Sequence, residues 1–260
     1  MALLEVKDLV KTFTTGDRTI SALDKLDLSI EEHEFVSLVG PSGCGKSTFL
    51  HIVGGFELAT SGSITLRDKP IGRPAPDRGM MFQDSSLFPW LTALQNVSWP
   101  LEMKGLAKNG RMAKARGYLD RVHLSRYADL YPAELSGGMK QRVALARLLA
   151  LDPEVLLMDE PFGALDSQTR ELLQEELQAI WRRDRKTALF VTHDIDEAIY
   201  LGTRVLVFTA RPGRIKADIK MPETDRPGDF RKSDEYLRMR GHIWDLLRDE
   251  VLKARNLEEA

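Results

Sequence analysis

Residues 34–48 read EFVSLVGPSGCGKST. The first part, EFVSLVG, is an apolar run suited to a buried strand. The second part, Gly40, Pro41, Ser42, Gly43, Cys44, Gly45, Lys46, Ser47 and Thr48, completes a phosphate-binding pattern, and FLHIVGGF behind it has helical spacing. A strand, a Gly-rich loop and a helix in this order form the context that the pattern demands. The glycines let consecutive backbone N–H groups turn toward phosphate oxygens, and the helix N-terminus adds partial positive charge. Lys46 is expected to reach the β- and γ-phosphates of a nucleotide, and the Ser47 hydroxyl to ligate Mg2+. Cys44 fills a free position, with its thiol expected beside the nucleotide.

On the N-terminal side, LLEVKDLVKTF and SALDKLDLSIEEHEFVSLVG alternate apolar and polar residues, which predicts a mostly antiparallel opening. On the C-terminal side, residues 61–82 carry Gly and Pro punctuation and short strand candidates. From Leu87 to Ala150 the spacing turns helical, as expected of an inserted lobe. VLLMDE follows, and its apolar residues Val155 to Met158 predict a parallel strand buried on both faces. SQTRELLQEELQAIWRRD predicts an amphipathic helix with Leu172, Leu173, Leu177, Ile180 and Trp181 inward. TALFVTH and RVLVFTA read as further strands. Between them, DIDEAIYLG predicts a helix with an Asp194–Glu197 capping box and a stop at Gly202. After ARPGRI the chain is Pro-rich, then helical over 234–254. Alternating strands and helices imply an α/β fold with a parallel sheet.

Asp159 and Glu160 are adjacent carboxylates at the end of a buried strand, where successive side chains point in different directions. This suits a division of labour in phosphoryl transfer. Asp159 is assigned to the metal and Glu160 to polarising an attacking water. His193 ends TALFVTH, and strand C-termini are where an open α/β sheet places its ligand. From position alone His193 is either a structural histidine or a hydrogen-bond donor to the γ-phosphate. His33, His51, His123 and His242 are taken as structural. Gln83, after MMF, is a further candidate ligand of Mg2+ or of the water.

Composition narrows the class. A chain of 260 residues with 43% hydrophobic and 29% charged residues is ordinary for a globular protein of one large domain or a domain with an inserted lobe. A formal net charge of −2 argues against nucleic-acid binding driven by bulk positive charge. One cysteine excludes an internal disulfide and suits a reducing compartment. MALLEVKDLVKTF is too charged for a signal peptide, and no apolar run is long enough to cross a bilayer. Any work at a membrane is therefore expected through a partner.

One stretch is unaccounted for. Residues 135–142 read LSGGMKQR, a second Gly-rich turn opening a second helix. Together with GPSGCGKST, Gln83, VLLMDE, Ala164-Leu165-Asp166 and His193 in this order, it makes the chain resemble the ATP-binding subunit of an ABC transporter over nearly its whole length. LSGGMKQR is the most specific element, because other phosphate-loop families lack it. The resemblance implies an α/β P-loop NTPase core with a mostly parallel sheet, an N-terminal antiparallel β subdomain and an inserted helical subdomain. The expected boundaries are 1–86 and 151–220 for the core, 87–150 for the helical subdomain with the signature, and 221–260 for a C-terminal helical tail.

The resemblance also implies that Gln83, Glu160 and His193 are catalytic and that Asp166 belongs to the nucleotide site. It further implies that Phe13 stacks on adenine, where Tyr is the more usual residue. Two copies packed head to tail are implied, with Ser136, Gly137 and Gly138 of one facing the γ-phosphate held by the other. The pair is either a homodimer or a heterodimer with a related subunit. Further partners implied are integral membrane permease subunits and, through the complex, a periplasmic or lipoprotein solute-binding protein. The expected place is the cytoplasmic face of the cell membrane.

MMFQDSSLFPWLTALQNV and the ending ARPGRI…LRMRGHIWDLL look like importers of nitrate, sulfonates, taurine and related small anions. The cluster Leu87, Phe88, Pro89, Trp90 and Leu91 beside Gln83 is either core or the socket for a permease helix, the second being favoured. Lys104, Lys108, Arg111, Lys114 and Arg116 are read as a solvated basic face. The rival readings are an ABC ATPase for another solute class, a soluble non-transport ABC ATPase, a phosphate-loop kinase and a module that only binds ATP. A kinase has no use for LSGGMKQR, and intact Lys46, Asp159, Glu160 and His193 argue against a binding-only module.

Overall fold

Residues 2–16, 18–222, 226 and 230–258 are described by the structure, which is a computed structural model. The chain divides into two compact units, one from residues 1–75 and 186–260 and one from residues 76–185. The expected helical lobe at 87–150 lies inside the second unit, which also takes in a strand before it and a strand and a helix after it.

The first unit begins with β1 (Ala2–Thr15) and β2 (Arg18–Glu31), an antiparallel pair. The alternation seen in the sequence sends Leu4 and Val6 into the core, and a register shift between Val6 and Leu9 turns Leu9 inward as well. β3 (Phe35–Val39) is buried along its whole length and feeds α1 (Lys46–Gly54). β4 (Ser61–Leu66) lies on the other edge of β1, and the short β5 (Lys69–Pro70) pairs with β4, so this sheet runs β2-β1-β4-β5.

In the second unit, β6 (Arg78–Met81) pairs in parallel with a strand more than seventy residues later. Between them lie α2 (Ala93–Met103), α3 (Lys108–Arg121) and α4 (Gly137–Leu151), packed on one another. The later strand is β7 (Val155–Asp159), and α5 (Ser167–Asp184) follows it. Thr92 starts α2 with a full capping box to Gln95, a local signal that holds wherever the tertiary structure leaves it exposed.

The chain then returns to the first unit with β8 (Thr187–Val191), α6 (Ile195–Leu201), β9 (Arg204–Phe208), β10 (Ile215–Lys220) and α7 (Asp234–Glu258). β3 lies between β8 and β9 and is parallel to both, with Leu38 opposite Val191 and Val39 opposite Val207. β10 adds an antiparallel edge to β9. The fold is α/β, with a mostly parallel sheet, an antiparallel sheet and a helical insertion.

Two local expectations are corrected, and a third, the stop at Gly202, holds. Leu172 points outward and is 55% exposed, while its neighbours Leu173, Leu177, Ile180 and Trp181 are buried. Asp194 does cap α6, accepting from the N–H groups of Asp196 and Glu197. The Glu197 carboxylate does not close a capping box, because it is buried and accepts from the Thr192 hydroxyl at 2.5 Å. Gly202 does end α6, yet in an extended rather than a left-handed conformation. It is small for a packing reason: a Cβ there would stand 2.7 Å from both the Ala198 carbonyl and the Ser37 hydroxyl.

Candidate active-site residues in each unit

The first unit carries Phe13, residues 40–48 and His193. Gly40 to Gly45 bridge β3 to α1, and the loop is wedged among its neighbours. Gly45 has φ +105, and a Cβ there would meet the Ala22 carbonyl at 2.7 Å, so conformation and space both require glycine. α1 begins without a side-chain cap and without an acid in its first turn, which leaves the N-terminal field of the helix uncompensated by carboxylates on the helix itself. Lys46 is buried. Its ammonium donates to the carbonyls of Gly40 (2.8 Å) and Pro41 (2.9 Å) and lies 3.6 Å from Cys44 Sγ. Burial pushes the Cys44 thiol above its ordinary pKa, and the nearby Lys46 charge opposes that shift without cancelling it.

β8 ends at Val191, two residues before His193, so the histidine sits in the loop entering α6. Because β8 and β3 are parallel neighbours in register, His193 and the phosphate loop leave the sheet at the same end. Phe13 lies on β1, 37% exposed, with the Lys11 ammonium 4.6 Å from its ring centroid.

The second unit carries Gln83, Ser136, Gly137, Gly138, Asp159, Glu160 and Asp166. Asp159 is the buried last residue of β7. Glu160 follows with φ +43, a left-handed turn that a non-glycine residue adopts at a cost of about 1–2 kcal/mol. That turn swings its carboxylate away from the strand direction. The Glu160 carboxylate and the Gln83 amide converge beside Gly163, where a Cβ would lie 3.7 Å from Glu160 Oε2 and 3.9 Å from Gln83 Nε2.

Ser136 is the N-cap of α4, accepting from the Met139 N–H at 3.3 Å, and Asp166 is the N-cap of α5, accepting from the Thr169 N–H at 3.0 Å. The bond from Thr169 holds the Asp166 carboxyl below its ordinary pKa. Ser136 and Gly137 are exposed, while Gly138 is buried, with Thr169 Cγ2 only 2.7 Å from where its Cβ would be.

Sequence reasoning passed over Gln141, Arg147 and Asn96, and all three hold the segment after Gln83. Gln141 donates to the Gln83 carbonyl, and Arg147 to the carbonyls of Ser85 and Ser86. Asn96 is fully buried, accepts from the Phe88 N–H at 2.8 Å and donates to the carbonyls of Phe88, Leu91 and Thr92. The visible signal was a lone arginine inside the apolar run VALARLLA. The Phe88 to Leu91 cluster is partly outward. Trp90 is 69% exposed, and the Phe88 ring lies 5.6 Å from Trp90 and 5.3 Å from Trp99.

Among the described residues, no group of three or more His, Cys, Asp or Glu side chains gathers as a metal cage, and no helix is long and apolar enough to cross a membrane. The oxygen donors expected for a cation are divided between the units, the Ser47 hydroxyl in the first and the Gln83 amide and the Asp159 carboxylate in the second. Each is a hard oxygen donor, of the kind that suits Mg2+.

The family model described as ABC transporter matches residues 23–163. The chain is 50% identical over 251 residues to an uncharacterized ABC transporter ATP-binding protein of Methanocaldococcus jannaschii, an alignment covering 96% of this chain and 93% of that protein. It is 44% identical over 255 residues to a nitrate import ATP-binding protein of Synechocystis, covering 94% of this chain and 95% of that one. Among solved structures it is similar to a dimeric, post-hydrolysis ATP-binding cassette bound to ADP and Pi, with TM-score 0.76 and 36% identity, covering 85% of this chain and all of that one.

Proposed function

This chain belongs to the ABC transporter family and is one of its ATPases, and we propose that it powers an importer of a small anion such as nitrate, an aliphatic sulfonate or taurine. The observation that carries the reading is that one chain presents two Gly-rich helix N-termini, α1 behind residues 40–48 and α4 behind Ser136, neither with an acid in its first turn. Two copies packed head to tail would use both, closing two ATP molecules between them. The dimeric cassette to which the chain is similar supports this arrangement.

In this reading Lys46 binds the β- and γ-phosphates, and Ser47, Gln83 and Asp159 hold Mg2+, which supplies neutralising charge. Glu160 orients and polarises the attacking water, His193 donates to the γ-phosphate, and Phe13 stacks on adenine. Ser136, Gly137 and Gly138 complete the site of the second copy, beside Asp166. Loss of the γ-phosphate removes contacts that exist only in the closed pair, and the pair opens. The patch that exposed Trp90 and Trp99 form around half-buried Phe88, a few residues after Gln83 in the chain, is the surface for a permease helix. The permease holds the chain at the cytoplasmic face of the membrane, and the complex receives its solute from a solute-binding protein.

Glu160→Gln is expected to bind ATP and dimerise in light scattering, with turnover reduced by roughly 10²–10⁴-fold, the usual worth of a positioned base. A Glu160→Gln chain that stays monomeric at saturating ATP-Mg2+ overturns the sandwich, and so does unimpaired turnover of Ser136→Arg. Uptake by a deletion strain tests the solute class. Loss of nitrate or sulfonate uptake is expected, and loss of sugar uptake instead refutes it.

A further inference from the structure

Within the second unit, the helix that starts at the signature also grips the loop that follows β6. Gln141 Nε2 donates to the Gln83 carbonyl at 3.2 Å. Arg147 uses both terminal nitrogens, one to the Ser86 carbonyl at 2.8 Å and one to the Ser85 carbonyl at 2.9 Å. Its guanidinium also lies 5.6 Å from the centroid of the Phe88 ring. Farther on, Asn96 of α2 fixes Phe88 to Thr92 by four hydrogen bonds. The segment from Gln83 to Thr92 is thus held by α4 at one end and by α2 at the other.

These residues are a poor choice for stability alone. Arg147 places a charge largely out of water against neutral carbonyls, and that burial depresses its pKa. Gln141 is buried, and its Oε1 has no hydrogen-bond partner among the described residues. Apolar side chains of similar size would fill the same space without this desolvation. What the polar pair provides is directional attachment. Gln141 and Arg147 are six residues apart on one helix, a rise of about 9 Å, so the loop is fastened to a stiff rod at two heights.

We propose that Gln141 and Arg147 are positioning residues that couple the signature turn to the Gln83–Trp90 segment, so that docking of a second copy's nucleotide on Ser136–Gly138 carries the loop and its aromatic patch along with α4. The inference rests on the dimer and permease reading above and assigns the internal link that the reading needs. Arg147 suits the task because a planar fork engages two carbonyls at once, which the single ammonium of lysine does less well.

Hydrogen exchange followed by mass spectrometry tests it, in the full chain with Glu160→Gln as background. ATP-Mg2+ is expected to slow exchange at residues 136–140 and at 83–91. Adding Arg147→Met is expected to leave the dimer, by light scattering, and the slowing at 136–140, while the slowing across 83–91 is lost. Arg147→Lys should recover part of it. Gln141→Leu, which keeps the volume and removes one bond, is the second arm should Arg147→Met reduce the folded fraction. Full slowing across 83–91 in dimers of both variants overturns the coupling. So does loss of slowing at both regions together, which marks a merely structural role. A Glu160→Gln chain that never dimerises removes the premise itself, and that failure is seen before any loop variant is made.

Discussion

Leu172 and Leu173 are adjacent in α5, yet Leu173 is buried and Leu172 is 55% exposed. Successive helical residues are 100° apart, so one of them lies at the edge of the inward stripe, and only the packing of α5 decides which. Leu173→Ala is expected to cost about 2–5 kcal/mol and Leu172→Ala less than about 0.5 kcal/mol. Urea midpoints of the two variants measure this, and similar losses would refute the assignment. Lys46 makes the same point for a polar residue. Its charge sits in a buried loop because the Gly40 and Pro41 carbonyls solvate it there.

At the scale of elements, two residues expected to serve nucleotide chemistry also start helices. Ser136 caps α4 and Asp166 caps α5, and each cap supports its helix by satisfying a backbone N–H of the first turn. Stability and turnover therefore have to be measured together in any variant of either. Gly138 has a double role as well. The Thr169 methyl fills the place of a Cβ at 2.7 Å, so α4 and α5 approach each other only with glycine at this position. Gly138→Ala is expected to destabilise by about 1–3 kcal/mol, as overpacking does. Adding Thr169→Ser, which removes the methyl and keeps the backbone of the cap, is expected to restore most of that loss. A thermal-unfolding double-mutant cycle reads the coupling, and purely additive effects would reject the contact.

At the scale of the whole molecule, α7 and Arg226 before it are tied to the rest of the first unit by charge as well as by apolar packing. Arg226 donates to the carbonyls of Ile199 and Tyr200 at the C-terminal end of α6, where a cation is favoured. Tyr236 and Arg240 both bind Asp196. Glu250 is buried, accepting from the Ala210 N–H at 2.9 Å, Lys216 at 2.9 Å and Lys253 at 2.8 Å. Burial alone would raise its pKa, but the bonds from Lys253, Ala210 and Lys216 outweigh burial and bring it down to about 2. A depressed carboxylate adds stability that is complete above its ordinary value and is lost as pH falls through the folded one. Glu250→Gln is therefore expected to be less stable than the parent by at most about 3 kcal/mol at pH 7, a gap that closes between about pH 5 and pH 2. Urea midpoints across that range test it, and a gap independent of pH would be inconsistent with the ion network.

The amino-acid sequence by itself determined the features set by neighbours along the chain. These include the strand–loop–helix around residues 34–48, the buried strand Val155–Asp159, the N-cap at Asp194, and the ordered motifs that identify the family. Backbone conformation and helix capping act over a few residues, so their signals are local and can be read in one dimension. Only the tertiary structure decided the rest. β3, which starts at Phe35, lies between β8 and β9, which start at Thr187 and Arg204, and Glu197 bonds Thr192 rather than closing a capping box. Gln141 and Arg147 reach carbonyls 58 to 62 residues away. Such bonds form between groups whose separation in sequence carries no periodic signal. Their partners are backbone carbonyls, which every residue possesses, so the identity of the partner is written in the packing of the elements and not in any side-chain pattern.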